Sequence, residues 1–275
     1  MDLSLLIPAL IAGAVAILAT LAIERLGGRL GGVLGAVPTT LVPAAIGVWQ
    51  NGDPDRFRAA MAMVPVGMLI NGMFLWTWRV LPPRLPPWPL PARLGAMTAA
   101  SLTVWFAAAA SLTTLARQVV AAGADPAWVG GGALVAGVAF GLYATTHAIP
   151  APAGTRRVPR WVLASRGLLA AVAIAVAILV ARHGQPLTAG VAAVFPAIFL
   201  TSMVSLWFSQ GVAVPAGAVG PLILGSASPC TFALLAIQLF PRLGPWWGCL
   251  VCWITVVTLI SAPIAWWLTR PTAAR

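Results

Sequence analysis

Long apolar runs separated by short polar or proline-rich breaks organise this chain. About nine such runs recur, each close to the roughly 20 residues that cross a hydrocarbon core as a helix. They cover residues 3–23, 30–49, 59–80, 93–115, 127–147, 161–181, 187–208, 213–239 and 246–268. Period-two alternation is nearly absent, so strands are not expected. The pattern predicts an all-α polytopic integral membrane protein with about nine transmembrane helices. The start, MDLSLLIPAL, carries no basic region ahead of its apolar run, and reads as a first span and not a cleaved signal. The eighth run is interrupted at Gly220-Pro221 and Ser228-Pro229. That leaves three forms open for it: one broken helix, two half-helices or a re-entrant pair.

Breaks inside the runs change this picture. The stretch GAVPTTLVPA, residues 35–44, sets Pro38 and Pro43 around Thr39 and Thr40. A proline inside a helix removes a backbone donor and clashes with the preceding turn, at roughly 3 kcal/mol. Broken backbone at membrane depth is tolerated only where it is buried in protein or lines a wet cavity. A second interruption falls at Phe195-Pro196, followed by Thr201, Ser202 and Ser205.

The two interruptions coincide when the second half is slid back by 158 residues. The run 3–23 then lies on 161–181, Gly32 on Gly190, Pro38 on Pro196 and Trp49 on Trp207. After a gap of about two, Pro65 meets Pro221. An odd number of spans separates the copies, so the repeat is expected to be inverted: four spans, a linking span, four spans. Residues 1–150 form the first repeat with its linking helix, 151–160 a cytoplasmic linker, and 161–275 the second repeat. Inverted repeats place substrate sites near the midplane, at discontinuous helices in matching positions.

Charge supports the count. The chain is 60% hydrophobic and 8% charged, with formal net charge +11. Such a charge invites a nucleic-acid partner, but the 16 basic residues are all arginines and most lie in short loops. Taking alternate loops as one side gathers 11 of them, with Arg56, Arg58, Arg117, Arg182 and Arg242 on the other. By the positive-inside rule the N-terminus is outside and the C-terminus cytoplasmic, in a plasma or bacterial inner membrane. No nucleic acid is expected. Trp49, Trp128, Trp161, Trp207, Trp246, Trp247, Trp266 and Trp267 fall at predicted ends, as interfacial anchors do.

Candidate chemistry is sparse. The acids Asp2, Glu24, Asp53, Asp55 and Asp125 all sit at ends or loops, which disfavours a carboxylate-driven cation pump. Asn71 is a polar group near the middle of an apolar run and needs a partner there. Its counterpart region, LGSASPC, offers Ser226 and Ser228. Cys249-x-x-Cys252, with Cys230 and several methionines, suggests a soft-metal path, although these residues also serve as plain apolar filler. No Cys/His cluster has zinc spacing and no GxSxG, HExxH or Walker pattern occurs, so neither an enzyme nor a bound cofactor is expected.

These features point to a secondary carrier or facilitator for a small polar, anionic or zwitterionic organic solute, working within a lipid bilayer. The expected binding residues are Pro38, Thr39, Thr40, Pro43, Asn71, Pro196, Thr201, Ser202, Ser205, Ser226 and Ser228. The alternatives are a transition-metal permease using Cys and Met, and a lipid flippase or membrane assembly scaffold.

Overall fold

The computed structural model describes residues 37–38, 41–51, 53–147 and 186–269, with isolated positions between 10 and 14 and between 161 and 175. The runs 3–23 and 161–181, the first part of 30–49 and the linker 151–160 therefore lie largely outside the described residues. Among the described residues all regular structure is helical. The elements are α1 Leu41–Asn51, α2 Pro54–Val80, a 3-10 turn Pro82–Arg84, α3 Leu90–Ala121, α4 Pro126–Thr146, α5 Pro186–Ala192, α6 Ala197–Gln210, α7 Ala213–Gly225, α8 Ala227–Val256, a π turn Val257–Ser261 and α9 Ala262–Thr269. Five stretches are long and apolar enough to cross a membrane: Pro54–Val80, Leu90–Ala121, Pro126–Thr146, Gly190–Phe208 and Ala213–Leu268.

Local sequence explains where these helices start. α2 and α4 use the same device, an aspartate before a proline. Asp53 Oδ1 accepts from Arg56 N at 2.7 Å, and Asp125 Oδ1 accepts from Ala127 N at 2.8 Å. Pro54 and Pro126 occupy the first helical position, where the missing N–H would have no partner anyway. The proline-rich loop 82–93 is shorter than its composition suggests, because Pro91 sits in the first turn of α3.

α2 is the central helix. Of its most apolar window 78% is buried, against 22% in α3 and 17% in α4. α4 runs parallel to it: Arg58 donates to Asp125 near one end, Gly130 lies against Ala62, Gly72 lies against Phe140, and Arg79 donates to the His147 carbonyl at the other end. α5 and α6 also run parallel to α2, with Gly190 against Ala60 and Trp207 against Trp78.

The segment 213–240 runs the opposite way. Gly220 packs on Ala144, Gly141 on Leu224 and Gly130 on Leu234, in steady antiparallel register. A Cβ at Gly141 would come within 2.6 Å of the Leu224 Cα, so glycine is what lets these backbones approach. Ser226, between α7 and α8, keeps helical angles (φ −63°, ψ −13°). Residues 213–240 thus form one kinked rod. The true reversal is at Gly244, whose φ of 72° and ψ of 167° suit glycine. Beyond it the chain doubles back: Gly248 packs on Phe240, and the Ser261 hydroxyl donates to Ser228 Oγ at 3.0 Å. The stretch Ala213–Leu268, about 84 Å if straight, is therefore two antiparallel arms, matching the separate runs 213–239 and 246–268.

Aromatic clusters close the two ends of α2. Phe57 stacks on Phe240 with centroids 4.9 Å apart, and Trp49 packs edge-on at 5.0 Å from Phe57. At the other end Trp78 meets Trp207 at 5.8 Å. Trp128, Trp246, Trp247 and Trp266 are exposed, as anchors are. Trp207 departs from that expectation. It is only 3% exposed and takes the Arg93 guanidinium over its ring at 5.5 Å.

Candidate functional site

The run 187–208 is broken about a third of the way along, at residues 193–196. α5 ends at Ala192, residues 193–196 are not helical, and α6 starts at Ala197 with Pro196 as its N-cap. Pro196 has no N–H to continue the ladder, and the turn frees the Val194 carbonyl. Asn71 on α2 takes it: Nδ2 donates to Val194 O at 2.7 Å. The same amide accepts from Trp105 Nε1 on α3, at 2.8 Å. A second Nδ2 contact reaches Met68 Sδ at 3.6 Å. Three elements are thereby tied at one buried point, with the Trp105 ring against Phe195 at 5.0 Å. Trp105 was not among the expected site residues. Its signal was legible, since an indole N–H far from both ends of an apolar run needs an acceptor at that depth.

The other expected residues fall into separate places. Pro38 is buried in a bend, and its carbonyl accepts from Val42 N at 3.4 Å. Pro43 is buried in the first turn of α1, a position that spares the helix from breaking. Thr39 and Thr40 lie outside the described residues, as does the side chain of Ser205. Thr201 and Ser202 bond back along α6, to Ala197 O at 2.9 Å and Ile198 O at 2.7 Å. Ser226 donates to Ile223 O at 2.6 Å, and Ser228 accepts from Ser261. Asn71 and the Pro196 break are brought together. α1 packs on α8 and α2, whereas α5 and α6 pack on α2, α3 and α7.

The charged groups define the two ends. Arg79 is buried and donates to the Ala144 and His147 carbonyls, capping the C-terminus of α4, with its guanidinium 5.1 Å from the Trp76 ring centre. This placement favours a cation, because the last carbonyls of a helix carry partial negative charge. At the opposite end Asp125 pairs with Arg58. The Ala127 N–H, and then the Arg58 guanidinium, hold its carboxyl below the ordinary carboxylate range.

Cys230, Cys249 and Cys252 are buried and free. Among the described residues no three of His, Cys, Asp and Glu converge as a metal site would need. A cavity of about 350 Å³ lies between α3 and α5, next to the break. It is an open groove, with Trp105 and the exposed Phe106 at one end and Arg117, Thr113, Thr114 and Thr188 at the other. No family model, curated protein or solved structure matches this chain.

Proposed function

We propose that this protein is a membrane carrier or facilitator for a small polar organic solute, anionic or zwitterionic, built as an inverted repeat of about nine spans. The observation that carries the reading is the helix break at 193–196, held inside the bundle by Asn71 and Trp105. Discontinuous helices of this kind expose backbone groups and partial helix charges where a substrate must pause in crossing.

Inversion is supported by the matched tryptophans. Trp49 packs at the Phe57 end of α2 and Trp207 at the Trp78 end. Phe57 and Trp78 are separated by about 32 Å of helix. α2 and its repeat mate 213–240 also run in opposite directions, since Phe240 stacks on Phe57. The arginines agree with this polarity: Arg79 and Arg93 lie at one end, Arg56, Arg58 and Arg117 at the other. With the arginine-rich side cytoplasmic, the Asp53 and Asp125 end faces outward.

In this reading the solute is held between the segment Pro38, Thr39, Thr40 and Pro43 and its mate with Pro196, Thr201, Ser202 and Ser205. Asn71, Ser226 and Ser228 line the wall. The experiment is a thermal-stability panel on the purified protein with organic anions, amino acids, sugars and metal ions, followed by uptake of the best stabiliser into proteoliposomes. Thr39→Val with Thr40→Val is expected to abolish uptake at normal expression. Undiminished uptake by that double variant removes the site assignment. Stabilisation by soft metals alone, lost in Cys249→Ser with Cys252→Ser, would favour the permease alternative.

A further inference from the structure

Three described residues, Trp78, Arg93 and Arg117, carry a buried side-chain nitrogen without a hydrogen-bond partner among the described residues, and of these only Arg117 lines the cavity between α3 and α5. In Arg117 that nitrogen is Nε. Among the described residues the ion pairs at this end of the bundle join Arg56 to Asp53 and Arg58 to Asp125, and neither reaches Arg117. A buried donor without a partner is costly, and a charged one more so. The cavity follows one face of α3, with Phe106, Thr113 and Arg117 at helical spacing, for about 18 Å from Trp105 to Arg117. Its other wall is the last turn of α5, just before the break.

We propose that this cavity binds a small organic monoanion with an apolar body, its carboxylate held by Arg117. The assignment rests on the carrier reading and narrows it to a substrate class. A guanidinium presents a planar fork that matches a carboxylate in two parallel hydrogen bonds. Thr113 and Thr114, one turn away, add hydroxyls beside the charge. The rest of the lining is Thr188, near the charged end, with Trp105, Phe106, Val191 and alanines, and this mainly apolar stretch favours a hydrocarbon or aromatic body. A sugar or an inorganic anion would leave polar groups unpaired against those walls. The end of the groove away from Arg117 reaches Trp105, which bonds to Asn71 and packs on Phe195. A bound anion therefore lies directly beside the broken helix.

The shared chemistry, one anionic group on an apolar body, also describes an anionic lipid, and the test separates the two sources. Purified full-length protein in neutral phosphatidylcholine nanodiscs is titrated with hexanoate and, separately, hexanamide, reading the melting midpoint. Hexanoate is expected to raise it and hexanamide to leave it unmoved. Arg117→Gln should weaken the hexanoate Kd at least tenfold, and Arg56→Gln should leave it unchanged. Arg117→Lys keeps the charge without the fork and should give an intermediate value, so the test survives if Arg117→Gln does not fold. Equal responses to hexanoate and hexanamide, no response to hexanoate, or wild-type affinity in both Arg117 variants would overturn the site. With phosphatidylglycerol in the nanodiscs, an unchanged hexanoate affinity supports the free solute. Competition by that lipid through Arg117 assigns the cavity to a headgroup and rejects the solute. Hexanoate binding without uptake into proteoliposomes would sink the carrier reading and leave this site. Uptake of another solute that needs Thr39 and Thr40 but not Arg117 would do the reverse.

Discussion

Asn71→Leu tests how the broken helix is held. The substitution keeps roughly the same bulk and removes both ends of the amide. It leaves two buried groups alone: the Val194 carbonyl, now 2.7 Å from nothing that donates, and the Trp105 N–H, which loses an acceptor at 2.8 Å. An orphaned buried polar group costs about 1–3 kcal/mol. Hydrogen bonds between membrane helices average nearer 0.6 kcal/mol, because the unfolded chain in lipid also finds partners. Taking both, the variant should lose about 1–3 kcal/mol. Unfolding in mixed micelles can be followed with a fluorogenic maleimide, since Cys230, Cys249 and Cys252 are all buried. Trp105→Phe keeps an aromatic ring near Phe195 and deletes the N–H together with part of the indole's bulk, a packing loss common to both backgrounds. In the Asn71→Leu background it should cost clearly less than in the wild type, because the N–H has already lost its acceptor. A loss for Asn71→Leu below about 0.5 kcal/mol, the scale of an ordinary surface change, or strict additivity of the two variants, would refute the reasoning.

Three further outcomes follow from the packing and the caps. Gly141→Ala should destabilise by about 1–3 kcal/mol, because its Cβ would meet Leu224 backbone and no flexible side chain can yield, whereas Gly131→Ala has open space and should be neutral or slightly stabilising in the same thiol-exposure assay. Gly244→Ala should cost about 1–3 kcal/mol, since an L-residue is strained at that backbone conformation. Asp125→Ala loses the α4 cap and should cost about 1 kcal/mol at neutral pH. Because the Asp125 carboxyl is held below its unfolded value of about 3.9, its contribution is present above that pH and lost as pH falls through the folded value. Melting curves of wild type and Asp125→Ala should therefore converge in acid, and a constant gap would count against the pairing.

Much of the helical layout is local and was readable from residue order. Apolar length marked the runs containing α2, α3, α4 and the two arms around Gly244, because a helix needs only its own backbone partners and enough hydrocarbon. Phe195-Pro196 announced a break, whereas Asp53 and Asp125, read only as acids at ends or loops, prove to cap α2 and α4. A mid-span Asn71 advertised that it needed a partner, but not which one. The partner is a carbonyl 123 residues away, and only packing brings it there. The same holds for α2 at the centre of the bundle. Helices apolar on every side carry no stripe to say which face is buried and which meets lipid, so hydropathy cannot rank them. Small residues such as Gly67, Gly130 and Gly190 decide it by how closely backbones approach α2. Arg117 shows the limit most sharply. In sequence it is one of five arginines on a predicted outer side, while the fold gives its guanidinium a buried, unpartnered nitrogen beside a cavity, because its charge is answered or left unanswered only by what the other helices bring near it.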